Sequence, residues 1–174
     1  MRDHKIPTVL LIARWSYYTG GTTHPEDFNA IAMSGADSDS TRGSSQTALA
    51  HAIQHTLKAY KEIGVTVYLM EDNPQQIYGS NDALRKIRVP SDALINTLSV
   101  SREEHQNNQK IAADILHANA KGKAVLINTD DVLCDADRCP LVRAGKFLYR
   151  DTDHLSIEGA LNIYPRLRAK LPAN

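Results

Sequence analysis

Long apolar runs, net charge and cysteine are what this chain has least of, and each shortage excludes a class. No apolar stretch approaches the roughly 18–20 residues that cross a bilayer. The opening MRDHKIPTVLLIARW has too short an apolar run, and too bulky a continuation, for a secretory signal. Twenty basic side chains balance twenty acidic ones, so no net field favours nucleic acid or an anionic membrane. Partners have to be argued from local sites. The 2 cysteines, Cys134 and Cys139, do not make a zinc site without further ligands, and in a reducing compartment they would be thiols. No phosphate-cradling glycine loop and no dinucleotide fingerprint occurs, so a coenzyme is not expected. There are no internal repeats and no obvious interdomain linker.

What remains is a chain of 174 residues, enough for one domain with a real core, taken here as residues 1–174. Short β-branched runs alternate with amphipathic helical patterns. Thr8 to Trp15, Val65 to Met70 and Lys123 to Asn128 are of strand length with little polar alternation, as in parallel strands buried on both faces. From about Ser45 to Ile63 the residues Leu49, Ile53, Leu57 and Tyr60 form one stripe, with Gly64 placed to end the helix. Ser101 and Glu104 have capping-box spacing for a second helix running towards Gly122. A third helix is expected after Ser156, ending near Pro172. This order predicts an α/β sheet with right-handed crossovers.

Two stretches interrupt the rhythm, Thr19 to Ser45 and Glu71 to Val100, the second with a short helix expected around Asp82 to Ile87. Loops beyond the carboxyl ends of strands build the ligand crevice in open α/β sheets, so both are candidate substrate walls. A mobile surface loop is the competing reading of the first.

The stretch with most chemistry is YRDTDHLSIEGA, Tyr149 to Ala160. An Asp three residues before a His, in a loop entering a helix, can fold back so that its carboxylate accepts the imidazole Nδ1–H. That fixes the tautomer, frees Nε2 as a base and stabilises the imidazolium. Asp151 suits this role better than Asp153, which adjoins His154. Taken alone, D-x-x-H is equally a surface turn with Ser156 as helix cap.

Its context narrows the choice. CDADRCPLVRAGKFLYRDTDHLSIEGA resembles the end of the SGNH domain attached to membrane O-acyltransferases of the acyltransferase-three family: two cysteines, a short strand ending in Leu-Tyr, then Asp-x-x-His-Leu-Ser and Gly-Ala. The likeness extends upstream through VLLIARWSYY, GVTVYLMEDNP and SREEHQNNQKIAADIL. It implies a flavodoxin-like α/β/α SGNH-hydrolase sandwich with Asp151 and His154 as two members of a catalytic triad. It also implies a Cys134–Cys139 disulfide and a periplasmic or extracellular location beside a membrane acyltransferase domain expected upstream.

The family's nucleophile lies in a Gly-Asp-Ser motif after a first strand that precedes the Arg-Trp strand, and no counterpart occurs here. The expectation is therefore the C-terminal portion of the domain, truncated at the N-terminus. Asp37-Ser38 superficially resembles that motif, but it follows the Arg-Trp strand in a stretch of turn formers, so neither Ser38 nor Ser40 is expected to have the rigid turn that would aim its Oγ. Where many relatives place an oxyanion-donating Asn, this chain has Arg14 and Trp15. These are oxyanion or substrate candidates, or else an ion-pair partner and a core aromatic.

The function implied is transfer of an acyl group, acetyl by resemblance, through an acyl-serine to a cell-surface carbohydrate; the isolated chain is expected to be inactive. The alternative is a noncatalytic module that binds glycan or protein. Other patterns are thin. His51 and His55 have i, i+4 spacing but no third ligand, and Asp130, Asp131, Asp135 and Asp137 read as solvated turns; no metal is expected.

Overall fold

The computed structural model describes residues 6–32 and 41–172. Strands β1 (Thr8–Ile12), β2 (Thr66–Met70) and β3 (Ala124–Ile127) form a sheet in the order β1-β2-β3. Both pairings are parallel, with Val9 opposite Val67 and Val67 opposite Ala124. All three runs expected as strands are strands, shortened at their ends.

Helix α1 (Arg42–Glu62) starts at Thr41, whose side chain accepts the Ser44 N–H, and stops at Gly64 with φ of 73°. The Gly64 N–H donates to the Lys61 carbonyl and the Val65 N–H to that of Tyr60. This double reversal needs a left-handed residue, which glycine adopts without strain. The remaining α-helices among the described residues are α2 (Ser80–Lys86), α3 (Asp92–Asn96), α4 (Arg102–Ala120), α5 (Asp130–Leu133) and α6 (Ile157–Lys170). The Ser101 hydroxyl accepts the Glu104 N–H at 3.0 Å, and the Ser156 hydroxyl accepts that of Gly159 at 3.1 Å, so both serines cap as their positions predict. No helix among the described residues is long and apolar enough to cross a membrane.

The chain divides into two compact units, one of Met1–Asp72 with Asn108–Asn128, the other of Asn73–Asn107 with Thr129–Asn174. The first holds the sheet, with a core of Trp15, Leu49, Ile53, Leu57, Val67, Leu69, Ala112, Leu116 and Ala120. The α1 stripe supplies three of these, which is why its spacing is helical.

In the second unit Ala83, Ile95, Leu141, Val142, Leu148 and Tyr149 pack together. A hairpin of β4 (Val142–Arg143) and β5 (Lys146–Phe147) turns through Ala144 and Gly145, both at positive φ. Cys134 and Cys139 form a disulfide, packed with Val100 and Ile77. Gln76, fully buried, ties this region together: its Oε1 accepts the Val100 N–H at 3.1 Å and its Nε2 donates to the Cys139 carbonyl at 2.8 Å. A buried amide with both ends satisfied fixes three chain segments at once.

Candidate active site

Tyr149 is buried and Ser156 caps α6, so the six residues between them are fixed at both ends. Tyr149 and Leu155 face each other in an isolated antiparallel bridge, and the Arg150 N–H donates to the His154 carbonyl at 2.8 Å. Gly159 lets α6 begin this close: a Cβ there would collide with the Leu148 carbonyl.

Inside this loop the Asp151 carboxylate folds back over the chain. Its Oδ1 accepts the backbone N–H groups of Asp153 at 3.1 Å and His154 at 2.8 Å. Both its oxygens lie 3.0 Å from His154 Nδ1, whereas Asp153 Oδ2 is 3.9 Å away. Asp151 is therefore the partner of the imidazole, as the D-x-x-H spacing predicts. The His154 side chain is 65% exposed, and its Nε2 has no hydrogen bond among the described residues. Arg150 also donates to Asp151 Oδ2, at 3.2 and 3.3 Å.

Burial raises the Asp151 pKa, but the backbone N–H groups of His154 and Asp153, together with the imidazole, outweigh it and hold the carboxyl down at about 2. A folded-state value below the unfolded one of about 3.9 means that the contribution to stability is present above the unfolded value. It is lost as pH falls through the folded value. Wild type and Asp151→Asn should accordingly differ most in urea-unfolding stability above about pH 5, with the gap closing towards about pH 2. A gap independent of pH would contradict this. The carboxylate is 42% exposed, so solvent screens the effect.

Trp15 and Arg14 are engaged within the first unit. The Trp15 indole N–H donates to the Met70 carbonyl at 2.7 Å, and its backbone N–H to Asp72 Oδ1 at 2.7 Å; the Ser16 N–H takes Oδ2. The ring is buried. These are the contacts of a core aromatic. Arg14 pairs with Asp27 at 2.6 Å and lies over the Tyr17 ring. Ser38 and Ser40 lie outside the described residues.

The remaining histidine and acid patterns lie among other side chains. His51 and His55 share a concavity with Lys58, Lys61 and Lys123, cations that oppose a metal ion. Asp130 meets His105 Nε2 at 2.9 Å in a buried pair, Asp131 pairs with Arg166, and Asp135 accepts the N–H groups of Asp137 and Arg138 in a turn. Donor atoms of Asp151, Asp153 and His154 lie within 4.8 Å of one another, but Nδ1 already faces the Asp151 carboxylate.

The segment that follows β2, a candidate substrate wall in the sequence, makes contacts with the Asp151 loop that the sequence did not reveal. The Asn73 Nδ2 donates to the Asp153 carbonyl at 2.8 Å, the Gln76 N–H to that of Thr152 at 2.6 Å, and the Ser80 hydroxyl to that of Tyr149. Gly79 lies against the Asp151 backbone, where a Cβ would come within 3.3 Å.

A family model described as SGNH domain (fused to AT3 domains) matches residues 1–169. A solved structure, the periplasmic domain of a lipopolysaccharide acetyltransferase from Salmonella ser. Paratyphi A, is similar in fold with a TM-score of 0.58 at 15% identity. The alignment covers 97% of this chain and 58% of that one. No curated protein matches the chain.

Proposed function

The chain belongs to the SGNH domains fused to AT3 domains, and from that membership we propose that Asp151 and His154 are the orienter and the base of an acyl-transfer site. Family membership supports acyl transfer in general. The residue roles rest on one observation: a carboxylate holds Nδ1 at 3.0 Å, while Nε2 of the largely exposed ring has no hydrogen bond among the described residues.

In this reading a serine Oγ attacks the acyl donor as its proton passes to His154 Nε2. The tetrahedral intermediate collapses to an acyl-serine, and the imidazolium returns the proton to the leaving group. An acceptor hydroxyl then loses its proton to Nε2 and attacks the acyl-serine, and the serine recovers its hydrogen. Asp151 keeps Nδ1 protonated throughout and offsets the charge on the ring. Transfer prevails over hydrolysis when the site admits the acceptor and excludes water.

The serine is assigned to a segment outside these 174 residues. No described serine hydroxyl bonds to His154. Among the described residues strand β1 is an edge strand of the sheet, an edge on which a further strand can pair. The acyl group is assigned as acetyl and the acceptor as a cell-surface glycan hydroxyl, on the periplasmic or outer face of the membrane. The partner domain is a membrane acyltransferase.

The isolated chain should hydrolyse activated acyl esters no faster than its His154→Ala variant, because a base without nucleophile and oxyanion donors lacks the covalent route. Ester hydrolysis above that of the variant would place a complete site inside the chain. If the full-length protein transfers no acyl group but retains glycan, the noncatalytic binding module becomes the better description.

A further inference from the structure

The Asp151 carboxylate is held by the N–H groups of two consecutive peptide units, Thr152–Asp153 and Asp153–His154. The carbonyl oxygens of the same two units are held from the other side. The Thr152 oxygen accepts the Gln76 N–H at 2.6 Å, and the Asp153 oxygen accepts Asn73 Nδ2 at 2.8 Å. Each peptide plane is thus pinned at both ends, which leaves it no free rotation about its flanking bonds. A hydrogen bond at a peptide oxygen also polarises the unit and strengthens its N–H as a donor.

The Asp153–His154 plane matters most. It carries the shorter of the two bonds to Asp151, 2.8 Å, and it leads directly into the His154 Cα. Of its two anchors one is Asp151 itself and the other is the Asn73 side chain, which makes no further hydrogen bond among the described residues. We propose that Asn73 is a positioning residue for the Asp151–His154 pair, acting through the Asp153–His154 peptide to fix the carboxylate and with it the imidazole tautomer. Its relevance to catalysis rests on the acyl-transfer reading; its effect on the pair does not. The low pKa of Asp151 fits, since the His154 N–H is the foremost of the groups that lower it.

The test is made on the 174-residue chain by nitrogen NMR of the His154 ring and by amide hydrogen exchange. Wild type should show the Nδ1–H tautomer. In Asn73→Ala the ring should sample both tautomers, and the His154 amide should exchange about tenfold faster, the loss of roughly one net hydrogen bond. Amides of α6 beyond its first turn should be unchanged. Asn73→Asp keeps the volume and replaces the donor by an acceptor, so it should show at least the same shift, and it decides the matter if Asn73→Ala does not fold.

Wild-type tautomer and exchange at His154 in the folded variant would overturn the assignment. So would a rise of equal size at every amide, which marks general stability. Neither readout depends on acyl chemistry: full activity in His154→Ala would sink the acyl-transfer reading and leave this assignment standing.

Discussion

His154→Ala in the full-length protein should reduce acyl transfer about ten-thousandfold, with little change in the apparent affinity for the acyl donor. In the proposed mechanism the base is needed twice, to take the serine proton on acylation and the acceptor proton on transfer, so its loss enters both barriers. General-base catalysis contributes about 10² to 10⁴ in rate, and a triad acts as a unit, which places the loss at the upper end. The exposed ring of His154 has no structural contact of comparable worth, so the variant should fold. Rates measured with saturating donor and acceptor check this, and a loss below about tenfold would remove His154 from the chemistry.

Asp151→Asn should cost more than Asp151→Ala, about 10³ to 10⁴ against roughly 10², although Asn is the closer analogue. The two backbone N–H groups that meet Asp151 Oδ1 will claim the single oxygen of an Asn amide. Its NH₂ then occupies the place of Oδ2, 3.0 Å from His154 Nδ1. It donates there, Nδ1 becomes an acceptor, and the proton moves to Nε2, where a base is required to have none. Arg150 favours the opposite flip, since it donates to Oδ2. Its side chain is 71% exposed and can swing away, whereas the backbone donors are fixed. Asp151→Ala frees the ring to sample both tautomers and keeps part of the active one. Equal rates for the two variants would show that Asp151 does not set the tautomer.

Local chemistry made much of this legible in the sequence. The α1 stripe, the Gly64 stop and the Ser101 and Ser156 caps each depend on residues within a few positions, and the structure uses each of them. The contact between Asp151 and His154, three residues apart, is equally local. The cysteine pairing was implied by the family resemblance and stands in the structure.

Long-range partners were not legible. Trp15 is fixed by Met70 and Asp72, more than fifty positions away, so its sequence neighbours left its role open. Asn73 reaches a carbonyl eighty positions on, and a backbone acceptor has no sequence signature. His105 and Asp130 form a buried pair across 25 positions, where Asp130 had read as one of a run of turn acids. The short elements α3, α5 and the β4–β5 hairpin carry too few residues for a periodic signal.

The central claim is that His154 activates a serine supplied from outside these 174 residues, and covalent mapping tests it most directly. The full-length protein is treated with a serine-directed fluorophosphonate, digested, and the modified peptide identified by mass spectrometry, alongside the His154→Ala variant. The account predicts a label on one serine beyond this chain's sequence, strongly reduced in His154→Ala. A label on a serine within the chain, such as Ser38, lost in Ser38→Ala, would contradict it.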